Sequence, residues 1–142
     1  AVSRNPSWSW YKGDVALSAV LQFEGDVDVT YHASWCSTGK QTTLHGDWRI
    51  EGKDGALVWD QDELTYYVGD TTQMNQEKIA LDRMEYTNQA YAIREMMRSI
   101  EEGRQPECSG EDNIKALAVV FAVLKSVKEN RPILIEEVMK EV

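Results

Sequence analysis

Between residues 15 and 68 the side chains alternate between apolar and polar. From about residue 86 the apolar ones recur every third or fourth position. This switch of period constrains the fold more than any other feature. A period of two puts successive side chains on opposite faces of a strand, and a period near 3.6 lines them along one stripe of a helix. Strands followed by helices imply an α+β layer arrangement. Composition agrees with the switch. Residues 1–75 hold all five Trp and four of the six Tyr, whereas the remainder holds most of the long unbranched side chains. Aromatic and β-branched residues favour strands, while Ala, Leu, Met, Glu, Lys and Arg favour helices.

The expected fold class is therefore α+β. It has a large, mainly antiparallel β-sheet, helices on one face and an open opposite face. Val15, Leu17, Ala19, Leu21 and Phe23 share one face of the first strand, and Val27, Val29, Tyr31, Ala33 and Trp35 share one face of the second. Glu24-Gly25-Asp26 joins them as a hairpin. Leu44, Trp48 and Ile50 continue the alternation, Glu51–Gly55 turns the chain, and Ala56–Asp60 with Leu64–Val68 forms a further hairpin. Residues 69–83 read as a polar connection without periodicity. Tyr86, Ala90, Ile93, Met97 and Ile100 mark one stripe of a helix over about 84–102, which Gly103 and Pro106 end. Ser109 with Asp112 resembles a capping box opening a second helix over about 111–129, which Asn130 and Pro132 end. Ile133–Ile135 is expected to return as an edge strand. Residues 1–142 read as one domain, long enough to bury roughly 70% of the unfolded surface.

The net charge of −9 argues against nucleic acid or an anionic membrane as the main partner. No apolar run approaches a membrane span, and the first residues lack the apolar segment of a signal peptide. Two cysteines, Cys36 and Cys108, cannot build a disulfide framework, so a reducing cytoplasm is the expected location.

Chemistry-bearing motifs are sparse. Gly39-Lys40-Gln41-Thr42 resembles a fragment of a phosphate loop, but Ser34 stands where its first glycine belongs and Gln41 where its Ser or Thr belongs. No Gly-x-Gly-x-x-Gly occurs, so no dinucleotide fingerprint is present. His32 and His45 are the only histidines; both fall on polar strand positions, without the three or four convergent ligands that a metal requires. Cys36 has no neighbouring base in sequence, and no nucleophile–base–orienter set can be assembled.

Order and spacing carry a resemblance further. Gly13–Gly25 is similar to a familiar opening hairpin, and Arg49–Leu57 ends a strand in Gly-x-x-Gly-x-Leu at Gly52 to Leu57. Ala92-Ile93 through Ile100–Pro106, then Ala116-Leu117 through Asn130–Ile133, complete the pattern. Together they resemble the C-terminal domain of the glucose–fructose oxidoreductase/inositol dehydrogenase (Gfo/Idh/MocA) family over roughly Gly13 to Ile135. In that family a Rossmann domain carrying NAD(P) and a catalytic lysine joins this sheet domain. The resemblance thus implies a substrate-binding and oligomerisation domain of an NAD(P)-dependent oxidoreductase acting on a sugar or polyol-like alcohol. It implies no catalytic, cofactor-binding or metal-binding residue within this fragment, which alone is not expected to be active. NAD or NADP belongs to the full-length parent. The family places substrate contacts near Gly39–Asp47, where its Tyr-Asp-x-Arg sequence is replaced by Leu44-His45-Gly46-Asp47.

Trp35, Lys40 and His45, which flank the loop between the second and third strands, are the candidate substrate-facing residues: an aromatic plane, a cation and an imidazole suit a hydroxylated ligand. The helical residues Ile93, Met97, Phe121 and Leu124 are expected to seat on the apolar sheet face. The open mixed face, with Val20, His32, Arg49, Val58 and Tyr67, is expected to form a homo-oligomer. The competing expectation is a stand-alone α+β interaction or small-ligand-binding module without a redox partner.

Overall fold

The computed structural model describes residues 1–69 and 73–140; residues 70–72, inside the expected polar connection, and 141–142 lie outside the described residues. It is an α+β fold of two antiparallel sheets and three helices. The chain divides into two compact units, Ala1–Ser37 with Ala92–Val142, and Thr38–Tyr91.

The first unit holds β1 (Val2–Arg4), β2 (Ala16–Phe23) and β3 (Val27–Ser34), hydrogen-bonded in that order. The register pairs Leu17 with Ala33, Ala19 with Tyr31 and Leu21 with Val29, so the expected apolar set shares one face. Gly25 and Asp26 turn the hairpin in left-handed backbone conformations. β1 was not expected from the alternation, because three residues are too few to show a period.

Helix α1 (Asn88–Glu102) enters this unit, followed by α2 (Gly110–Glu129) and α3 (Ile135–Met139). Ser109 caps α2, its Oγ accepting from the Asp112 N–H at 3.1 Å. Asn130 ends α2 in a left-handed conformation and donates its N–H to the Ser126 carbonyl. Three findings correct the sequence expectations. Ile135 opens α3 rather than lying in an edge strand, since Glu137 accepts from the Leu134 N–H and its carboxylate pairs with Arg131. The α1 stripe of Ile93, Met97 and Ile100 is exposed, as are Phe121 and Leu124 of α2, so these residues are not seated as expected. The buried helical residues are instead Glu95, Ser99, Ala118, Ala122 and Ser126. Small side chains let α2 approach α3 closely, and Ala118 and Ala122 pack with Val138, flanked by Ile133.

The second unit holds β4 (Trp48–Gly52), β5 (Gly55–Asp60), β6 (Glu63–Gly69) and β7 (Met74–Ile79) as a four-stranded meander. Gln61 and Asp62 make the β5–β6 turn, both with positive φ, the handedness that matches strand twist. Leu44 stands outside the strands in a turn and is fully exposed, contrary to its expected strand position. β7 occupies part of the expected polar connection. Its sequence, Met-Asn-Gln-Glu-Lys-Ile, is exposed along its whole length and so carries no apolar alternation to reveal it.

Candidate functional site

Alternation gives the four-stranded sheet of the second unit two different faces. Trp48 pairs with Trp59, and Ile50 with Leu57, which pairs in turn with Tyr66. These residues share the apolar face. Val58 pairs with Thr65, which pairs with Lys78, while Tyr67 pairs with Gln76. This second face is polar. A shallow concavity of about 430 Å³ lies on it, lined by Lys40, Val58, Asp60, Thr65, Tyr67, Gln76 and Lys78, with Gln61 and Glu63 at the turn.

Two ion pairs set its electrostatics. Lys40 Nζ lies 2.6 Å from Asp60 Oδ1, and Lys78 Nζ lies 2.8 Å from Glu63 Oε2. Hydrogen bonding to Asp60 raises the Lys40 pKa; desolvation opposes the rise, and the charges of Asp60 and Asp47 reinforce it. Glu63 does the same for Lys78. Both lysines are therefore protonated at neutral pH and serve as donors rather than bases. Each cation faces its own carboxylate, so these four groups sum to zero charge. With the Thr65 hydroxyl, the Tyr67 phenol and the Gln76 amide, they offer interleaved donors and acceptors suited to a neutral hydroxylated molecule.

The segment 38–47 passes along the rim of this sheet. Lys40 bridges to Asp60, and Gln61 Nε2 donates to the Gln41 carbonyl at 2.8 Å. A turn then closes where the Gly46 N–H donates to the Thr43 carbonyl at 3.0 Å; Gly46 sits at φ +76, which a glycine adopts without strain. Trp48 Nε1 donates to the His45 carbonyl at 2.7 Å, and the His45 ring stacks on Trp59, centroids 5.7 Å apart. Among the described residues, Thr43 Oγ1 and Trp59 Nε1 are the buried side-chain polar atoms with no hydrogen-bond partner.

The three sequence candidates are thus placed differently. Lys40 lines the polar concavity. His45 is held on the same segment but against Trp59, on the apolar side of the sheet. Trp35 belongs to the first unit, where it is 80% exposed just beyond β3 and donates its N–H to the Val15 carbonyl. Sequence reasoning missed Asp60, Thr65, Gln76 and Lys78. The first two were visible as polar positions in the β5–β6 hairpin. The last two lie on β7, which that reasoning did not identify.

In the first unit, His32 Nδ1 lies 3.0 Å from Ser18 Oγ, its cross-strand neighbour. Both are exposed beside a smaller concavity of about 260 Å³ lined by Val2, Arg4 and Ala16 among others. Among the described residues no three His, Cys, Asp or Glu side chains gather as metal ligands. No helix among them is long and apolar enough to cross a membrane.

A family profile described as "Oxidoreductase family, C-terminal alpha/beta domain" matches residues 5–135. An uncharacterized protein, y4oX, of Sinorhizobium fredii is 22% identical over 147 residues, covering 95% of this chain and 40% of its own length. The crystal structure of an oxidoreductase from Agrobacterium radiobacter, in complex with NAD+, L-tartaric acid and magnesium, superposes with a TM-score of 0.76 at 15% identity. The match covers 96% of this chain and 42% of that one. The chain therefore spans about two-fifths of the length of both proteins.

Proposed function

Because the chain belongs to the Gfo/Idh/MocA oxidoreductase family as its C-terminal α/β domain, we propose that it is the substrate-binding and oligomerisation domain of an NAD(P)-dependent enzyme acting on a sugar or polyol-like alcohol. The observation that carries this reading is the charge-balanced polar face of the four-stranded sheet, on which the sequence candidate Lys40 is held against Asp60 beside Thr65, Tyr67 and Gln76. A neutral polyol can exchange hydrogen bonds with each of these groups, whereas an anion would meet the carboxylates of Asp60 and Glu63. The size of the relatives is a second support, since a segment of about two-fifths leaves room for a nucleotide-binding domain in a longer protein.

The phosphate-loop-like run Gly39-Lys40-Gln41-Thr42 does not fit a dinucleotide cradle. Residues 39–42 lead into the 43–46 turn rather than a helix N-terminus, so this segment presents no helix-start N–H groups to a pyrophosphate. Bound in the longer protein, NAD or NADP would supply the hydride acceptor. This chain's part is to hold the alcohol, with Lys40 as a donor on the polar sheet face. Dimerisation through the mixed sheet face belongs to the same proposal, as does a reducing cytoplasm, which the free thiols of Cys36 and Cys108 suit.

Alanine at Trp35, Lys40 and His45 in the full-length protein, assayed against a panel of polyols with NAD and NADP, tests the reading. At least one variant is expected to lose roughly tenfold or more in kcat/KM, the worth of one good hydrogen bond or stacking contact. Unchanged kcat/KM in all three removes them from the site. Nicotinamide fluorescence should show no saturable binding of NADH or NADPH to the 142-residue chain alone.

A further inference from the structure

In the three-stranded sheet of the first unit, Val2 pairs with Ser18, which pairs in turn with His32, while Arg4 pairs with Ala16. Residues two apart share a face, so Arg4, Ser18 and His32 project from the same side of β1, β2 and β3. Two strand spacings and two residue steps separate Arg4 from His32, roughly 12 Å between backbones. The concavity of about 260 Å³ lies in that gap, lined by Arg4, Ser18 and His32 together with Val2 and Ala16. All three polar residues are open to solvent. In the polar concavity of the second unit each lysine faces a carboxylate. Here, among the described residues, the Arg4 guanidinium meets none. Alternation explains the difference: Ser3 turns its side chain to the opposite face, and its hydroxyl takes up the Asp14 carboxylate. On the strands of the Arg4 face the carboxylate is Asp28, opposite Gln22. It stands four residues along β3 from His32, roughly 13 Å away and beyond a Debye length at physiological salt.

We propose that Arg4, Ser18 and His32 form a binding site for a small oxyanion, the carboxylate or phosphate group of a small molecule. A guanidinium presents a planar fork of N–H donors that matches two oxygens of such a group. His32 Nδ1 lies 3.0 Å from Ser18 Oγ, and this pair keeps a donor to spare in either neutral tautomer. The spare donor is Nε2–H when Ser18 donates to Nδ1, and the Ser18 hydroxyl when Ser18 accepts. With the imidazole protonated, both donors are available. A third oxygen of the ligand therefore finds a partner across the gap from Arg4. A neutral alcohol gains little from the charge of Arg4, whereas an oxyanion makes a charge-assisted bond with it. The net charge of −9 supplies no long-range attraction for an anion, so the site selects by contact rather than by steering. None of its residues belongs to the Lys40 face, and the assignment stands apart from the polyol reading.

The chain has two histidines, which makes the test local. The imidazole C–H resonances of His32 and His45 are followed by NMR as inorganic phosphate or succinate is added at constant pH and ionic strength. His45, stacked on Trp59 in the second unit, is the internal control. The expected result is a saturable shift at His32 with a millimolar or tighter dissociation constant, and none at His45. Binding should weaken roughly tenfold or more in Arg4→Gln, the loss of a charge-assisted contact. Should Arg4→Gln fail to fold, Arg4→Lys decides: it keeps the charge, loses the fork and should bind several-fold more weakly than wild type. Saturation by phosphate alone assigns a phosphate group, and saturation by succinate alone a carboxylate. The assignment is overturned if neither probe saturates at His32, if both histidines shift alike, or if Arg4→Gln and Arg4→Lys bind as wild type does. His32 also lies on the face proposed for pairing, so the titration is repeated in Tyr67→Glu, which separates that dimer. The site should persist there; its loss would place the oxyanion in the assembly rather than in one chain and would overturn the assignment.

Discussion

Glu95 occupies a helix position that hydropathy would assign to an apolar residue. It is 9% exposed, and its carboxylate is fully engaged. Arg104 grips both of its oxygens, at 2.6 and 2.9 Å, while the Glu107 N–H and the Ser99 hydroxyl complete the set. The effect is to tie the loop after α1 back onto the helix. Arg104 is the main reason the Glu95 pKa falls from 4.5 to about 2, with desolvation opposing. Glu137, held by Arg131 and the Leu134 N–H, falls to about 2 in the same way. A carboxylate whose pKa is lower in the folded chain stabilises that state fully above its unfolded value. The contribution disappears as the pH falls through the folded value. Melting temperature should therefore hold down to about pH 5 and decline between 4.5 and about 2. Glu95→Gln should melt several degrees lower at pH 7, because Arg104 keeps only Glu102 of its two carboxylate partners, and should show a shallower acid decline. Circular-dichroism melts across pH, wild type against variant, check both. The Glu95 clamp was illegible in the sequence because its partners stand four to twelve residues away and helical spacing pointed to Ile93 and Met97 instead.

At the scale of elements, strands with one apolar face were legible and those without one were not. The β2–β3 register, the β5–β6 hairpin and the capped start of α2 follow from alternation, turn residues and Ser109. β7 has no apolar face and was invisible, although its Lys78 reaches Glu63 across the ladder. The helix phases misled for a physical reason: α2 buries alanines, and hydropathy weights alanine below the leucines and phenylalanine beside it. Two predictions belong here. A side chain at Gly55 would drive a Cβ into the Tyr67 carbonyl oxygen and within 2.9 Å of the Tyr66 ring. Backbone cannot yield as a flexible side chain can, so Gly55→Ala should destabilise by about 2 kcal/mol or more in urea titration. Ala118, 2% exposed against Val138, leaves no room for growth. Ala118→Leu should cost about 1–3 kcal/mol by overpacking, while the same change at the exposed position of Lys115 should be near neutral.

For the molecule as a whole, the sequence led to the family and the fold class. Two of the three candidate residues fell in the second unit, on opposite sides of one sheet, and the third in the first unit. That separation depends on chain path through irregular segments, which no period encodes. Assembly is testable at this scale. Sedimentation equilibrium of the 142-residue chain should give about twice its 16.2 kDa mass at tens of micromolar, reduced to the single-chain mass by Val20→Lys or Tyr67→Glu. A single-chain mass throughout would discard the dimer.

The second unit is one continuous excursion, residues 38–91, inserted between two separated pieces of the first. Its strands pair only with their sequence neighbours, so its contacts are local and its ladder can close early. The first unit has no such freedom, because β1 packs against α2 from more than a hundred residues away. On a ribosome, the middle of this chain can therefore be finished while its beginning still waits for its end. Amides of β5 and β6 should gain protection in arrested nascent chains too short to expose α2, and those of β1 only after α2 has emerged.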